Sequence, residues 1–237
     1  MTKGPALASP PKFAYVANSG SANVSTYAID PATSLLTPVG SPVGAGTTPN
    51  SVTVHPSGGF AYVANGGGNV SAYSIDGTGA LTSIGTVGAG TAPASVSVDL
   101  SGRYAYVANA GSANVSAYTI DGTGALTSIG TVGAATTPQS VTVDPSGRFA
   151  YVANAGSASV SAYTINAGTG ALTQIDADAV TVGVQDFAAG SPPRSVSVDP
   201  SGRFAYVANS GSDNISAFRI DSSTGALAGV AGQPFGA

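Results

Sequence analysis

Acid–base and nucleophilic chemistry has few side chains to draw on in this sequence. Its 237 residues include no cysteine, His55 is the single histidine, and all eleven acidic residues are aspartate. Three of those aspartates recur in a fixed relation: Asp99, Asp144 and Asp199 stand four residues before Arg103, Arg148 and Arg203. A carboxylate and a guanidinium at that spacing either hold a charged substrate or pair with each other across a turn. His55 and Gly59 replace both partners together in one copy. Joint loss points to an exposed brace worth about 0–1 kcal/mol. His55 is then an exposed turn residue with no carboxylate or nucleophile beside it, and no residue is assigned a catalytic role.

Other candidates repeat in the same way. Asn18, Asn65, Asn109, Asn154 and Asn209 each close a Tyr-Val-Ala-Asn run ahead of a glycine-rich turn. Asparagine tolerates the left-handed backbone region and bonds loop amides, so a turn role is expected, with a ring of amides as the functional alternative. Asp76 and Asp121 open Asp-Gly-Thr-Gly turns that supply one carboxylate each, too few for calcium. No metal or cofactor site is expected. Asn23, Asn69, Asn114 and Asn214 sit in Asn-X-Ser and are read as turn asparagines. One position varies where its neighbours do not: Asn50, Ala94, Gln139 and Arg194 each follow a proline. Their polar members, Asn50, Gln139 and Arg194, are the candidate ligand-binding residues. Unconstrained loop variation is the competing reading.

The elements that carry these residues are set by an internal repeat. Tyr-Val-Ala-Asn begins at Tyr15, Tyr62, Tyr106, Tyr151 and Tyr206, with spacings of 47, 44, 45 and 55. Three of these match one four-stranded propeller blade, and the last carries an insertion read as a long loop around Asp176–Phe187. One unit reads as strands at Ser140–Asp144, Phe149–Asn154, Val160–Ile165 and Ala171–Ile175, joined by Pro-Ser-Gly, Ala-Gly-Ser and glycine-rich turns. The fold class is therefore all-β. It is expected to be a β-propeller of about five four-stranded antiparallel blades in one domain, with units near 1–48, 49–92, 93–137, 138–192 and 193–237. In a propeller the start of each innermost strand lies at a channel mouth, which is where the varying position falls.

The phrase Ser-Val-Thr-Val-Asp-Pro-Ser-Gly-Arg-Phe-Ala-Tyr-Val-Ala-Asn at residues 140–154 resembles the YVTN repeat of bacterial and archaeal surface and secreted propellers. It is also similar to the lactonase-type propellers, which include 6-phosphogluconolactonases. That resemblance implies seven blades and a ligand site at the channel mouth. Two function classes follow. The residue inventory favours a non-catalytic scaffold that binds an unknown small molecule or protein, whereas the resemblance implies a lactonase-like ester hydrolase. An array with no property beyond its fold is a third reading, suggested by the near identity of Ala72–Gly88 and Ala117–Gly133.

Bulk properties narrow the partners. Charged residues make up 8% of the chain and the net charge is −4, which leaves no cationic surface for nucleic acid. Residues 1–12 hold no long apolar core and no window approaches eighteen apolar residues, so neither a signal peptide nor a membrane span is expected. Low charge with abundant Ser, Thr, Gly and Ala leans toward an extracytoplasmic or cell-surface setting in a bacterium or archaeon. Ala6–Ala8 supply at best a degenerate innermost strand for the first unit. Closure of the ring then rests on the first blade packing against the fifth, and a closed monomer is expected over an oligomer. Because each unit buries its faces only against neighbours, an excised unit such as 138–192 is predicted to remain unfolded by circular dichroism.

Overall fold

In the computed structural model, each Tyr-Val-Ala-Asn run completes a six-residue strand such as Phe149–Asn154, in which Phe149 and Tyr151 face one way and Ala150 and Val152 the other. Both faces are apolar, so both must be covered. The structure describes residues 12–175, 187–232 and 234–236. The fourth blade shows the plan: Pro138–Val143, Phe149–Asn154, Ser159–Ile165 and Leu172–Ile175 pair in that order, all antiparallel, and Phe187–Ala188 continues the outer edge. The expected Ala6–Ala8 strand and the long loop at 176–186 lie outside the described residues.

The innermost strands of the second to fifth blades are Pro49–Val54, Pro93–Val98, Pro138–Val143 and Pro193–Val198. They pack side by side, and each is tied to the next by a serine. Ser51, Ser95 and Ser140 Oγ accept the amide N–H of Val96, Val141 and Val196 at 3.2–3.3 Å.

Farther out, tyrosines latch each junction, two at the first three and one at the fourth, where Phe218 stands in place of the second. Tyr15, Tyr62, Tyr106 and Tyr151, on the second strands, donate to the carbonyls of Gly79, Gly124, Gly170 and Gly225 in the following blade at 2.9–3.0 Å. In return Tyr73, Tyr118 and Tyr163, on the third strands, donate to Gly44, Gly88 and Gly133 of the preceding blade at 2.7–2.8 Å. Apolar contact fills the space between. One junction stacks Tyr106, Ala108 and Val115 on Val141, Val152 and Tyr163, all buried. At roughly 1.5–3 kcal/mol for each large apolar side chain fully buried, these interfaces dominate stability.

Four hydrophobic clusters join successive blades, and among the described residues none joins the fifth blade to the first. The face-to-face packing expected between the first and fifth blades is not seen among the described residues. Val16 on the first blade is 44% exposed and Tyr206 on the fifth 45%, whereas Tyr151, the counterpart of Tyr206, is 0% exposed. The physical reason is local. The same latch recurs at nearly constant length at every junction, so the turn from blade to blade is set by packing and not by the number of blades.

The latches make stability sensitive to alkali. Burial, reinforced by the nearby Asp121 carboxylate, pushes the Tyr62 hydroxyl up to about 12. Burial likewise raises Tyr106 and Tyr151, with Asp99 and Asp144 adding to it. A folded-state pKa above the unfolded value favours the folded state fully below about pH 10, and that stabilisation is lost as pH rises toward the folded value. The thermal midpoint is predicted to be unaffected by tyrosine ionisation up to pH 9 and to fall between pH 10 and 12. A midpoint unchanged at pH 11 would contradict this role for the tyrosines.

Candidate functional site

The Asp–Arg repeats do not form ion pairs. Asp144 is 3% exposed, and its carboxylate is filled by its own turn: Oδ1 accepts from the N–H of Arg148 and Phe149 at 2.9 and 2.8 Å, and Oδ2 from the Ser146 N–H and hydroxyl. Arg148 instead lies over the Phe149 ring at 4.9 Å and donates to the carbonyls of Ser222 and Ser223 in the next blade. Arg103 does the same over Tyr104, reaching Ala167 O at 3.2 Å. The expected exposed brace is thus two devices, a buried turn acceptor and an interblade clamp.

His55 explains why both partners are lost together. Its Nδ1 accepts from the Ser57 N–H at 3.1 Å, which is the aspartate's task, so Nε2 carries the proton and donates to Gly102 O in the next blade at 2.8 Å. A single imidazole thus does both jobs. His55 is half-buried and structural, which corrects its reading as an exposed turn residue.

The asparagines are corrected in mechanism. Positive φ falls at Ala22, Gly68, Ala113, Ala158 and Asp213, farther along each turn, and not at the asparagines themselves. Asn65, Asn109 and Asn154 are fully buried, so they present no ring of amides to solvent. Asn109 Nδ2 donates to Asn114 Oδ1 and Ser116 Oγ at 2.8 and 2.9 Å, pinning the second strand to the third. Asn69 and Asn114 are accordingly the opening residues of third strands, not turn residues. Asp76 and Asp121 hold Asx turns as expected. The Thr78 and Thr123 hydroxyls, with backbone N–H groups, keep their carboxyls below the ordinary range.

The varying position after each proline is a β-bulge. Pro138 pairs with Asn154 and Ser140 with Ala153, which leaves Gln139 outside the register, and the same shift isolates Asn50, Ala94 and Arg194. A bulged residue belongs to neither blade face, so packing does not constrain it. The three candidates are not equivalent. Asn50 Nδ2 donates to Pro93 O at 2.9 Å and joins two innermost strands, and Gln139 is half-buried. Arg194 is exposed, and its Nε donates to Ser210 Oγ at 3.3 Å.

Arg194 lines an open groove with Ala208, Ser210, Asp213, Asn214 and Ile215. Asp213 was not singled out from the sequence. The signal was present, because Asp213 stands in the turn where the other copies carry Ala22, Gly68, Ala113 and Ala158. Among the described residues no ion pair joins Asp213 to Arg194 and no hydrogen bond reaches the Asp213 carboxylate, so the groove presents one exposed guanidinium and one unengaged carboxylate.

Four-stranded antiparallel blades packed face to face about common inner strands define a β-propeller. The sequence matches the family described as lactonase, seven-bladed β-propeller, over residues 13–132, 85–187 and 141–234, and the chain belongs to that family. No curated protein sequence matches the chain. Among solved structures it is similar to a putative 6-phosphogluconolactonase from Bacteroides uniformis, with 18% identity, a TM-score of 0.84, and coverage of 97% of this chain and 70% of the other. It is also similar to the periplasmic gluconolactonase PpgL of Pseudomonas aeruginosa, with 21% identity, a TM-score of 0.78, and coverage of 95% and 68%. A protein of unknown function from Desulfotomaculum acetoxidans gives 18% identity, a TM-score of 0.78, and coverage of 95% and 67%. At such identities the likeness is one of fold.

Because Asp144 saturates a buried turn, Asp144→Ala leaves N–H groups without their acceptor. The predicted loss is about 1–3 kcal/mol in urea unfolding, above the value for an exposed brace. A loss below about 0.5 kcal/mol would restore the exposed-pair reading.

Proposed function

We propose that the chain is a lactonase-type hydrolase acting on a sugar lactone in the groove beside Arg194. The supporting observation is that the exposed guanidinium of Arg194 and the unengaged carboxylate of Asp213 line one groove in a chain of the lactonase family. In this reading Asp213 takes a proton from water as the water oxygen bonds to the lactone carbonyl carbon. Arg194, oriented through Ser210, holds the oxyanion of the tetrahedral intermediate. Collapse breaks the ring C–O bond, and the proton on Asp213 passes to the leaving alkoxide, giving the open hydroxy acid. No metal is needed to balance the step.

A binding scaffold without turnover is the second reading. It is favoured by the rest of the inventory, since no glutamate or cysteine is present and the one histidine is committed to Gly102 O. Hydrolysis of a gluconate-type lactone, corrected for the buffer rate, separates the two. The expected result is a saturable rate that falls about 10²-fold in Arg194→Ala and by about 10²-fold or more in Asp213→Asn. A rate no faster than buffer would overturn the hydrolase and leave the scaffold.

A further inference from the structure

Two of the eleven aspartates precede glycine, in Asp76-Gly77 and Asp121-Gly122. That pairing carries a reaction of its own. The glycine amide nitrogen bonds to the aspartate Cγ, and the amide proton and the carboxyl hydroxyl leave together as water, which closes a five-membered succinimide. Water then adds to the main-chain carbonyl carbon of that ring, its bond to nitrogen breaks, and the chain runs on through Cγ as an isoaspartate with a free α-carboxylate. Glycine puts no Cβ in the path of closure and has the widest choice of backbone angles, so closure meets least resistance there. No other aspartate shares this neighbour: in the matching turns Asp30 precedes Pro31, which has no N–H, and Asp221 precedes Ser222.

The folded turn holds both carboxyls away from the reaction. Asp76 Oδ1 accepts from the Thr78 N–H at 2.8 Å, the Thr78 hydroxyl at 2.6 Å and the Ala80 N–H at 3.0 Å. Asp121 has the same partners in Thr123 and Ala125, at 2.8, 2.6 and 3.1 Å. These bonds tie the oxygen to residues two and four positions on, so Cγ cannot turn back onto the glycine nitrogen until they break. The threonine hydroxyls first, and the N–H groups after them, also keep both carboxyls below the ordinary range, in the ionised form that resists attack. The glycines themselves are open. Gly77 and Gly122 are exposed, no heavy atom lies within 4 Å of where a Cβ would stand, and among the described residues their N–H groups have no hydrogen-bond acceptor.

Each turn is held in place by the blade before it. Gly79 N–H donates to Asp76 O at 3.0 Å, and Gly79 O accepts from Tyr15 of the first blade at 3.0 Å. In the third blade Gly124 N–H donates to Asp121 O at 3.0 Å, and Gly124 O accepts from Tyr62 of the second blade at 3.0 Å. Phe13 and Phe60 lie against the same two glycines, where a Cβ would come within 2.3 Å of either ring. Each aspartate is thus connected through one glycine to one tyrosine across one junction.

We infer that Asp76 and Asp121 are sites of spontaneous isoaspartate formation gated by the blade junctions, each reacting only while its own tyrosine latch is open. An isoaspartate lengthens the main chain of the turn by a carbon atom and removes the side-chain acceptor of Thr78 or Thr123. The glycine carbonyl then no longer returns to its tyrosine, and a passing separation of two blades becomes permanent. This inference does not rest on the hydrolase reading.

The test ages the full chain in neutral buffer, beside the same chain unfolded in guanidinium, and follows isoaspartate at each site by electron-transfer mass spectrometry. Both sites are expected to react at least about tenfold more slowly in the folded chain, as protection by a closed structure requires. Tyr15→Phe removes one latch hydrogen bond and is expected to raise the rate at Asp76 by roughly two- to tenfold with Asp121 unchanged, and Tyr62→Phe to do the reverse. The unchanged site in each variant reports that the rest of the chain stays folded. Equal rates in the folded and unfolded chains would overturn the protection by the turn. No change in either variant, or an equal rise at both sites, would overturn the control of each site by its own junction.

Discussion

Every part of this molecule depends on the contact between one blade and the next. A single blade is a twisted sheet with two apolar faces, and neither face is satisfied within the blade. The junction supplies what is missing: aromatic and aliphatic burial, a serine tie between inner strands, and tyrosine latches, which at the first three junctions run in opposite directions. Stability in such an array is a sum of neighbour terms. Among the described residues the first and fifth blades each pack against one neighbour, and there positions buried in the inner blades, such as those of Val16 and Tyr206, are exposed.

That constraint also decides where function can be placed. Residues facing a neighbour are fixed by packing, and residues in the turns are fixed by Asx bonds or by the buried aspartates. The bulge after each proline escapes both demands, and so does the turn containing Asp213. The groove beside Arg194 lies where these two free positions come together on the blade with an uncovered face.

The second strands and the order of the blades were legible in the sequence, because Tyr-Val-Ala-Asn repeats at blade spacing and alternates with period two. Phe149–Asn154 was placed to the residue, and Ser140–Asp144 missed the start of its strand at Pro138, because a bulge at Gln139 hides the register. The partners of Asp144 and Arg148 were not legible. Spacing along one chain suggested that they meet, whereas the arginine's acceptors, Ser222 and Ser223, lie more than seventy residues away on another blade. The covariation of His55 with Gly59 was a true signal read with the wrong partner in mind. Asp213 was visible by the same comparison of copies that had found Arg194.

The tyrosine latches end on backbone carbonyls, not on side chains. A main-chain acceptor is the same whichever residue bears it, so a unit fits its neighbour without matching mutations on both sides, provided that the third turn keeps its glycine. Such a junction tolerates duplication. A copied unit arrives already compatible with whatever precedes and follows it, and the near identity of Ala72–Gly88 and Ala117–Gly133 is the trace that such copying leaves. The fold is in this sense a grammar whose words can be repeated before they diverge, with variation entering through the few letters, such as Arg194 and Asp213, that the junctions do not read.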